Sequence, residues 1–278
     1  MSRIRQHPIV LYLVLAFAAT WGAWLPLLAT HSVVTVGFSP LFVAGLFGPL
    51  IAAVISTAIV GRVRGLRSLV RRATRVRVPM RWWWIALGLP LGIAAVLYGG
   101  GLLAATFGFG HAKGDFGAFT GLPRTTPLLM WPMLVLVAFG EEAGWRGYLL
   151  PRLQRRYSPL VSSLAVAACW SVWHVPAFYF VATYRDMPTS MVPMFFAGLL
   201  AGSVFLTWLY NRSRSSILIV AVWHGTYNLT SGTAGAAGAL AALETTAVMV
   251  VAIVLVAREL GAWWRDRHGG IGHHVMSR

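Results

Sequence analysis

The chain has 278 residues, of which 58% are hydrophobic and only 11% charged, against the roughly 25% charged residues of an ordinary soluble domain. Its 23 Lys and Arg outweigh seven Asp and Glu for a formal net charge of +16. A nucleic-acid-binding face would need those cations gathered on one folded surface. Here they lie between apolar runs, which points to a membrane protein meeting anionic lipid and excludes nucleic acid as the expected partner. One cysteine, Cys169, excludes an internal disulfide or a multi-cysteine metal cluster.

The apolar runs predict an all-α polytopic membrane bundle of about eight transmembrane helices. In chain order they cover residues 9–29, 41–60, 82–107, 127–150, 160–181, 191–210, 217–231 and 240–257, each near the ~20 residues that a span requires. The first follows Arg3 and Arg5, but its apolar core is too long for a cleaved leader. Trp21, Trp24 and Pro26 also crowd the end where small residues would mark cleavage, so it reads as a retained helix.

After the second run comes an arginine-rich stretch, 62–81, which reads as a helix on the membrane surface with Leu66, Leu69 and Val70 facing lipid. Trp82, Trp83 and Trp84 follow it as an interfacial anchor. Gly88–Gly92 and Gly198–Gly202 have the small-xxx-small spacing of close helix contacts. The glycine-rich stretch 108–126 reads as an external loop, and the tail His273 and His274 as solvent-exposed residues.

Further arginines, Arg152, Arg155, Arg156, Arg212, Arg214, Arg258, Arg265 and Arg267, follow even-numbered runs, whereas the intervening loops hold only Lys113, Arg124 and Arg185. With eight spans every rich segment falls on one side, which the positive-inside rule makes the cytoplasm, with both termini there. A chain with one lysine and so many arginines reads as a bacterial product of GC-rich coding, placed in the cell (inner) membrane.

Ionisable groups inside a bilayer cost several kcal/mol unless they are paired or face a wet cavity, so each is a candidate for function. The fourth run holds Glu141, Glu142 and Arg146. Glu142 and Arg146 are four apart and can pair. Glu141 points about 100° away and lacks that partner. The fourth and fifth runs form a hairpin about Ser158, with Glu141 seventeen residues before it and His174 sixteen after, so the two should lie at one depth. Trp170 shares a face with His174, and in the seventh run His224 shares one with Asn228.

An acid, two imidazoles and an amide suffice for hydrolysis, with a base for water and donors for an oxyanion. The same inventory suits a zinc site of Glu141 or Glu142 with His174 and His224, or a proton path in a non-catalytic transporter or immunity protein. Paired repeats with broken helices, the usual transporter pattern, are absent. His-Glu-x-x-His is missing, and Asp115, Asp186 and Asp266 lie outside the spans, which disfavours an aspartyl protease. Cys169 reads as packing. Glu244, near the external end of the last span, reads as an interfacial carboxylate or a partner of Tyr227.

Glu-Glu-x-x-x-Arg (Glu141, Glu142, Arg146), aromatic-x-x-x-His (Trp170, His174) and His-x-x-x-Asn (His224, Asn228), in that order on three helices, resemble the CPBP family. These are the CAAX prenyl endopeptidase and bacteriocin-processing, or Abi, intramembrane proteases. The resemblance covers about 127–231, the expected catalytic core of a single membrane domain. It implies a peptidase acting on a membrane-associated or lipidated peptide or protein without a cofactor. Glu141 would activate water that His174 helps to hold, His224 and Asn228 would form an oxyanion hole, and Glu142 with Arg146 would orient the site. Trp170 stands where the family usually has phenylalanine, a larger ring that would narrow the cavity.

Overall fold

A computed structural model describes residues 6–107, 114–236 and 238–268. Among the described residues nine helices frame the site. They are α1 (Pro8–Ala29), α2 (Pro40–Leu46), α3 (Gly48–Ala73), α4 (Met80–Leu103), α5 (Pro127–Leu153), α6 (Pro159–His174), α7 (Val192–Arg212), α8 (Ile217–Ser231) and α9 (Ala239–His268). Among the described residues seven helical segments are long and apolar enough to cross a bilayer, so the chain is an all-α, multi-pass membrane protein. The seventh expected span, α8, has 15 residues and rises only about 22 Å, against about 30 Å of hydrocarbon. It is buried almost along its whole length between other helices, so neighbouring protein rather than lipid accommodates its short reach.

The three motif-bearing helices begin in the same way. Thr126, Ser158 and Ser216 are N-caps whose hydroxyls accept from Leu129, Val161 and Ile219 N–H at 3.4, 3.2 and 3.2 Å, each satisfying a donor that the helix leaves unpaired. Pro127 and Pro159 follow two of these caps in the first helical turn, where the missing N–H costs nothing. α6 stops at His174 just before Pro176, which has no N–H to continue the helical ladder.

The second apolar run is not one helix. α2 ends at Leu46 and α3 starts at Gly48, and α3 itself bends at Arg62, which has a non-helical backbone. The segment beyond the bend stays helical to Ala73, but Leu69 is buried against the bundle, near Gly147, rather than facing lipid. Arg72 Nη1 donates to the Tyr210 hydroxyl at 2.7 Å, and the Arg75 carbonyl accepts from Ser216 Oγ at 2.7 Å. These contacts bring the arginine-rich end of α3 and the residues after it beside the C-terminal end of α7, so those two rich segments share one end of the bundle.

At the opposite end the chain closes with two isolated bridges. Val34 pairs with Val181, and Val36 with Thr120. α1 is tied to α6 through polar side chains as well as packing. Trp173 Nε1 donates to Thr20 Oγ1 at 2.8 Å, and Thr20 in turn donates to the Gly45 carbonyl at 2.8 Å.

Helix contacts do not use both expected glycine pairs. An added Cβ at Gly198 would lie 3.1 Å from Thr245, whereas Gly88 has only Trp84 at 3.6 Å and Gly92 and Gly202 have nothing within 4 Å. The closest approach is elsewhere. A Cβ at Gly225 would lie 2.6 Å from both the Cα and the N of Val135, so α8 packs its backbone directly on α5. That contact lies one residue beyond His224 and draws it toward the paired glutamates.

Candidate active site

The acidic pair on α5 is divided between two sets of partners. Glu142, fully buried, accepts at one oxygen, Oε1, from Arg146 Nη1 at 2.9 Å and from His224 Nδ1 at 2.9 Å. Glu141, 5% exposed, turns to α6, where Trp170 Nε1 donates to its Oε2 at 2.8 Å. Adjacent side chains on a helix diverge by about 100°, and that divergence sends one carboxylate toward α8 and the other toward α6. Trp145 to Leu149 form a π-helical turn just after the pair, yet the Glu142–Arg146 bond is kept across its start.

Trp170 links the whole cluster. Its indole holds Glu141, and its backbone carbonyl accepts from His174 Nδ1 at 2.8 Å. The Arg146 guanidinium carbon lies 4.8 Å from its ring centroid, and the His224 ring meets it edge-on at 5.5 Å. The Glu141 carboxylate therefore meets α6 at Trp170, one turn before the His174 whose depth it was expected to share. The large ring does more than narrow the cavity, because phenylalanine has no N–H to donate.

These bonds assign the histidine protons. A carbonyl and a carboxylate can only accept, so Nδ1 carries hydrogen in both His174 and His224. His174 Nε2 is then a lone-pair acceptor in the neutral ring. His224 Nε2 donates only when the ring is an imidazolium. Two carboxylates, one guanidinium and one imidazolium would leave the cluster with no net charge, which limits the cost of burying it.

Asn228 lies half-buried one turn beyond His224, and its side chain makes no hydrogen bond among the described residues. Tyr184, which no spacing rule would have singled out, lies with its ring 6.3 Å from His174. Burial, with the Glu141 charge adding to it, pushes the Tyr184 phenol above its ordinary range, so it stays protonated. Phe195 adds a wall 5.6 Å from His174.

Among the described residues no three His, Cys, Asp or Glu side chains gather to hold a metal. Glu141 is engaged by an indole, and the one bonded oxygen of Glu142 is shared by Arg146 and His224. Cys169, half-buried, packs against the apolar core. His273 and His274 lie outside the described residues, as does the side chain of Asp266.

Glu244 overturns the expectation of an interfacial carboxylate. It is 1% exposed, and Thr230 Oγ1 donates to its Oε2 at 2.8 Å. Tyr227 bonds Thr245 instead. Hydropathy locates a residue along a span but not on which face of the helix it sits, and this face turns toward α8.

Residues 123–230 match the family model described as type II CAAX prenyl endopeptidase Rce1-like. The chain is also 32% identical over 133 residues to CAAX prenyl protease 2 of Methanococcus maripaludis. That match covers 46% of this chain and 48% of the relative, so it spans about half the length of the curated protein. The matched segment contains every member of the cluster just described, from Glu141 on α5 to Asn228 on α8, so the similarity to type II CAAX prenyl endopeptidases falls on this site.

Proposed function

We propose that the chain is an intramembrane endopeptidase that hydrolyses a peptide bond of a membrane-associated or lipidated peptide or protein. The observation that carries the reading is the division of the paired glutamates. Glu142 is committed to Arg146 and His224, while Glu141 is held at Oε2 alone and keeps Oε1 for chemistry.

Water is held by the Nε2 lone pair of His174 and gives a proton to Glu141 Oε1. Its oxygen bonds to the scissile carbonyl carbon. The resulting oxyanion is met by N–H groups of the His224 imidazolium and the Asn228 amide. The carbon–nitrogen bond then breaks, and the proton on Glu141 passes to the leaving amine. Glu142 keeps His224 protonated at Nδ1 and orients it, and the Arg146 guanidinium balances the two carboxylates.

The segments around Arg72 and Arg212 meet at one end of the bundle, which supports placing that end and both termini in the cytoplasm of a cell membrane. Proteomic comparison of membranes carrying wild-type and Glu141→Gln protein tests the function. New C-termini on membrane-associated proteins should occur only with the wild type. Identical termini in both samples would exclude Glu141-dependent hydrolysis.

A further inference from the structure

A cavity of about 490 Å³ opens at the arginine-rich end of the bundle. It lies where α6 begins, α7 ends and α9 reaches Arg258. Leu160, at its edge, is ten residues before Trp170, about 15 Å along the helix, so the cavity is separate from the glutamate cluster.

Its walls are of two kinds. Leu160, Val204, Trp208 and Leu255 make an apolar side, and Arg212 and Arg258 supply two exposed guanidinium groups. Neither arginine forms an ion pair among the described residues. The cavity's carboxylate, Glu259, is engaged, since its Oε1 accepts from the Leu160 N–H at 3.2 Å. Thr207 is 2% exposed, lines the cavity, and its hydroxyl has no protein partner. A buried hydroxyl is ordinarily hydrogen-bonded, so this one points to a ligand that accepts.

Depth selects the ligand. A cavity between the ends of three spans lies at the level of lipid headgroups, where tryptophans concentrate. Trp208 packs edge-on against Trp82, with ring centroids 5.5 Å apart, and the Arg81 guanidinium stacks on Trp82 at 5.0 Å. Two cations, an unsatisfied hydroxyl and an apolar wall suit a phosphate-bearing headgroup whose acyl chain follows the apolar side. We propose that this cavity binds one anionic glycerophospholipid, its phosphate between Arg212 and Arg258 and its acyl chain along Trp208 and Leu255.

Native mass spectrometry of the purified full chain in non-ionic detergent tests the assignment, with dioleoylphosphatidylglycerol, dioleoylphosphatidylcholine and inorganic phosphate as separate probes. One phosphatidylglycerol per chain should survive activation that strips phosphatidylcholine. The Arg212→Gln/Arg258→Gln variant should lose that adduct at least about tenfold, given the roughly tenfold or smaller attraction each basic residue exerts near a membrane surface. Thr207→Val should weaken it, and Arg64→Gln/Arg67→Gln, at exposed positions on α3, should not. Equal retention of the two lipids, equal loss in the α3 control, retention of phosphate without lipid, or an unchanged adduct in the double variant would each overturn the proposal.

Discussion

The Trp170 indole nitrogen stands 2.8 Å from Glu141 Oε2, and the same residue's carbonyl accepts the Nδ1–H of His174. One residue thus fixes the orientation of the carboxylate and the tautomer of the imidazole. A charge-accepting hydrogen bond of this kind contributes about 1.5–3 kcal/mol.

Trp170→Phe should lower kcat by about tenfold with little change in KM, because the donor is lost while a ring still walls the cavity. Phenylalanine is the residue the family pattern carries at this position, so activity should fall without disappearing. Steady-state kinetics on the purified protein check this, and an unchanged kcat would mean that the indole bond does not orient the base.

The two glutamates should differ in stability. Glu142→Gln leaves buried Arg146 and His224 without their carboxylate and should cost about 3–5 kcal/mol. Glu141→Gln keeps an acceptor for Trp170 and should stay within about 1 kcal/mol of wild type. Thermal unfolding in detergent separates them, and equal losses would contradict the division of roles.

Gly225→Ala places a Cβ 2.6 Å from the Val135 backbone, which cannot yield as a flexible side chain would. It should destabilise the protein by about 1–3 kcal/mol and reduce turnover by displacing His224. Gly202→Ala, with nothing within 4 Å, should change stability by less than about 0.5 kcal/mol. Paired unfolding and activity measurements check both.

Much of this site is legible in the sequence. Spacing of four residues put Glu142 with Arg146, and hairpin counting put Glu141 at the depth of the motif on α6, because helical rise is uniform. Rotation about the helix axis is what spacing does not supply. It decides that Trp170 reaches Glu141, that Leu69 faces the bundle and that Glu244 meets Thr230. Gly225 had a readable signal in its place beside His224, but only the facing Val135 backbone shows why a side chain is excluded there. The bounds of α8 were legible as the apolar run 217–231; its burial depends on neighbours that hydropathy does not see.

Asn228→Ala should reduce turnover by about 10²–10³-fold, the usual effect of removing one oxyanion donor, with substrate affinity nearly unchanged. A loss confined to KM would assign Asn228 to substrate binding instead.

Ser68→Cys and Ser277→Cys, introduced into a Cys169→Ala background, should be shielded from an impermeant maleimide in intact cells and labelled after lysis. External labelling of either position would contradict a cytoplasmic arginine-rich end.

In the proposed reaction Glu141 activates the water that cleaves the peptide bond. Membranes carrying wild-type or Glu141→Gln protein, incubated in H₂¹⁸O, test it by mass spectrometry of newly formed C-termini. The wild type should place one ¹⁸O in each new carboxyl group, and Glu141→Gln, folded to the same melting temperature, should form none. New labelled C-termini at a wild-type rate in Glu141→Gln membranes would contradict it.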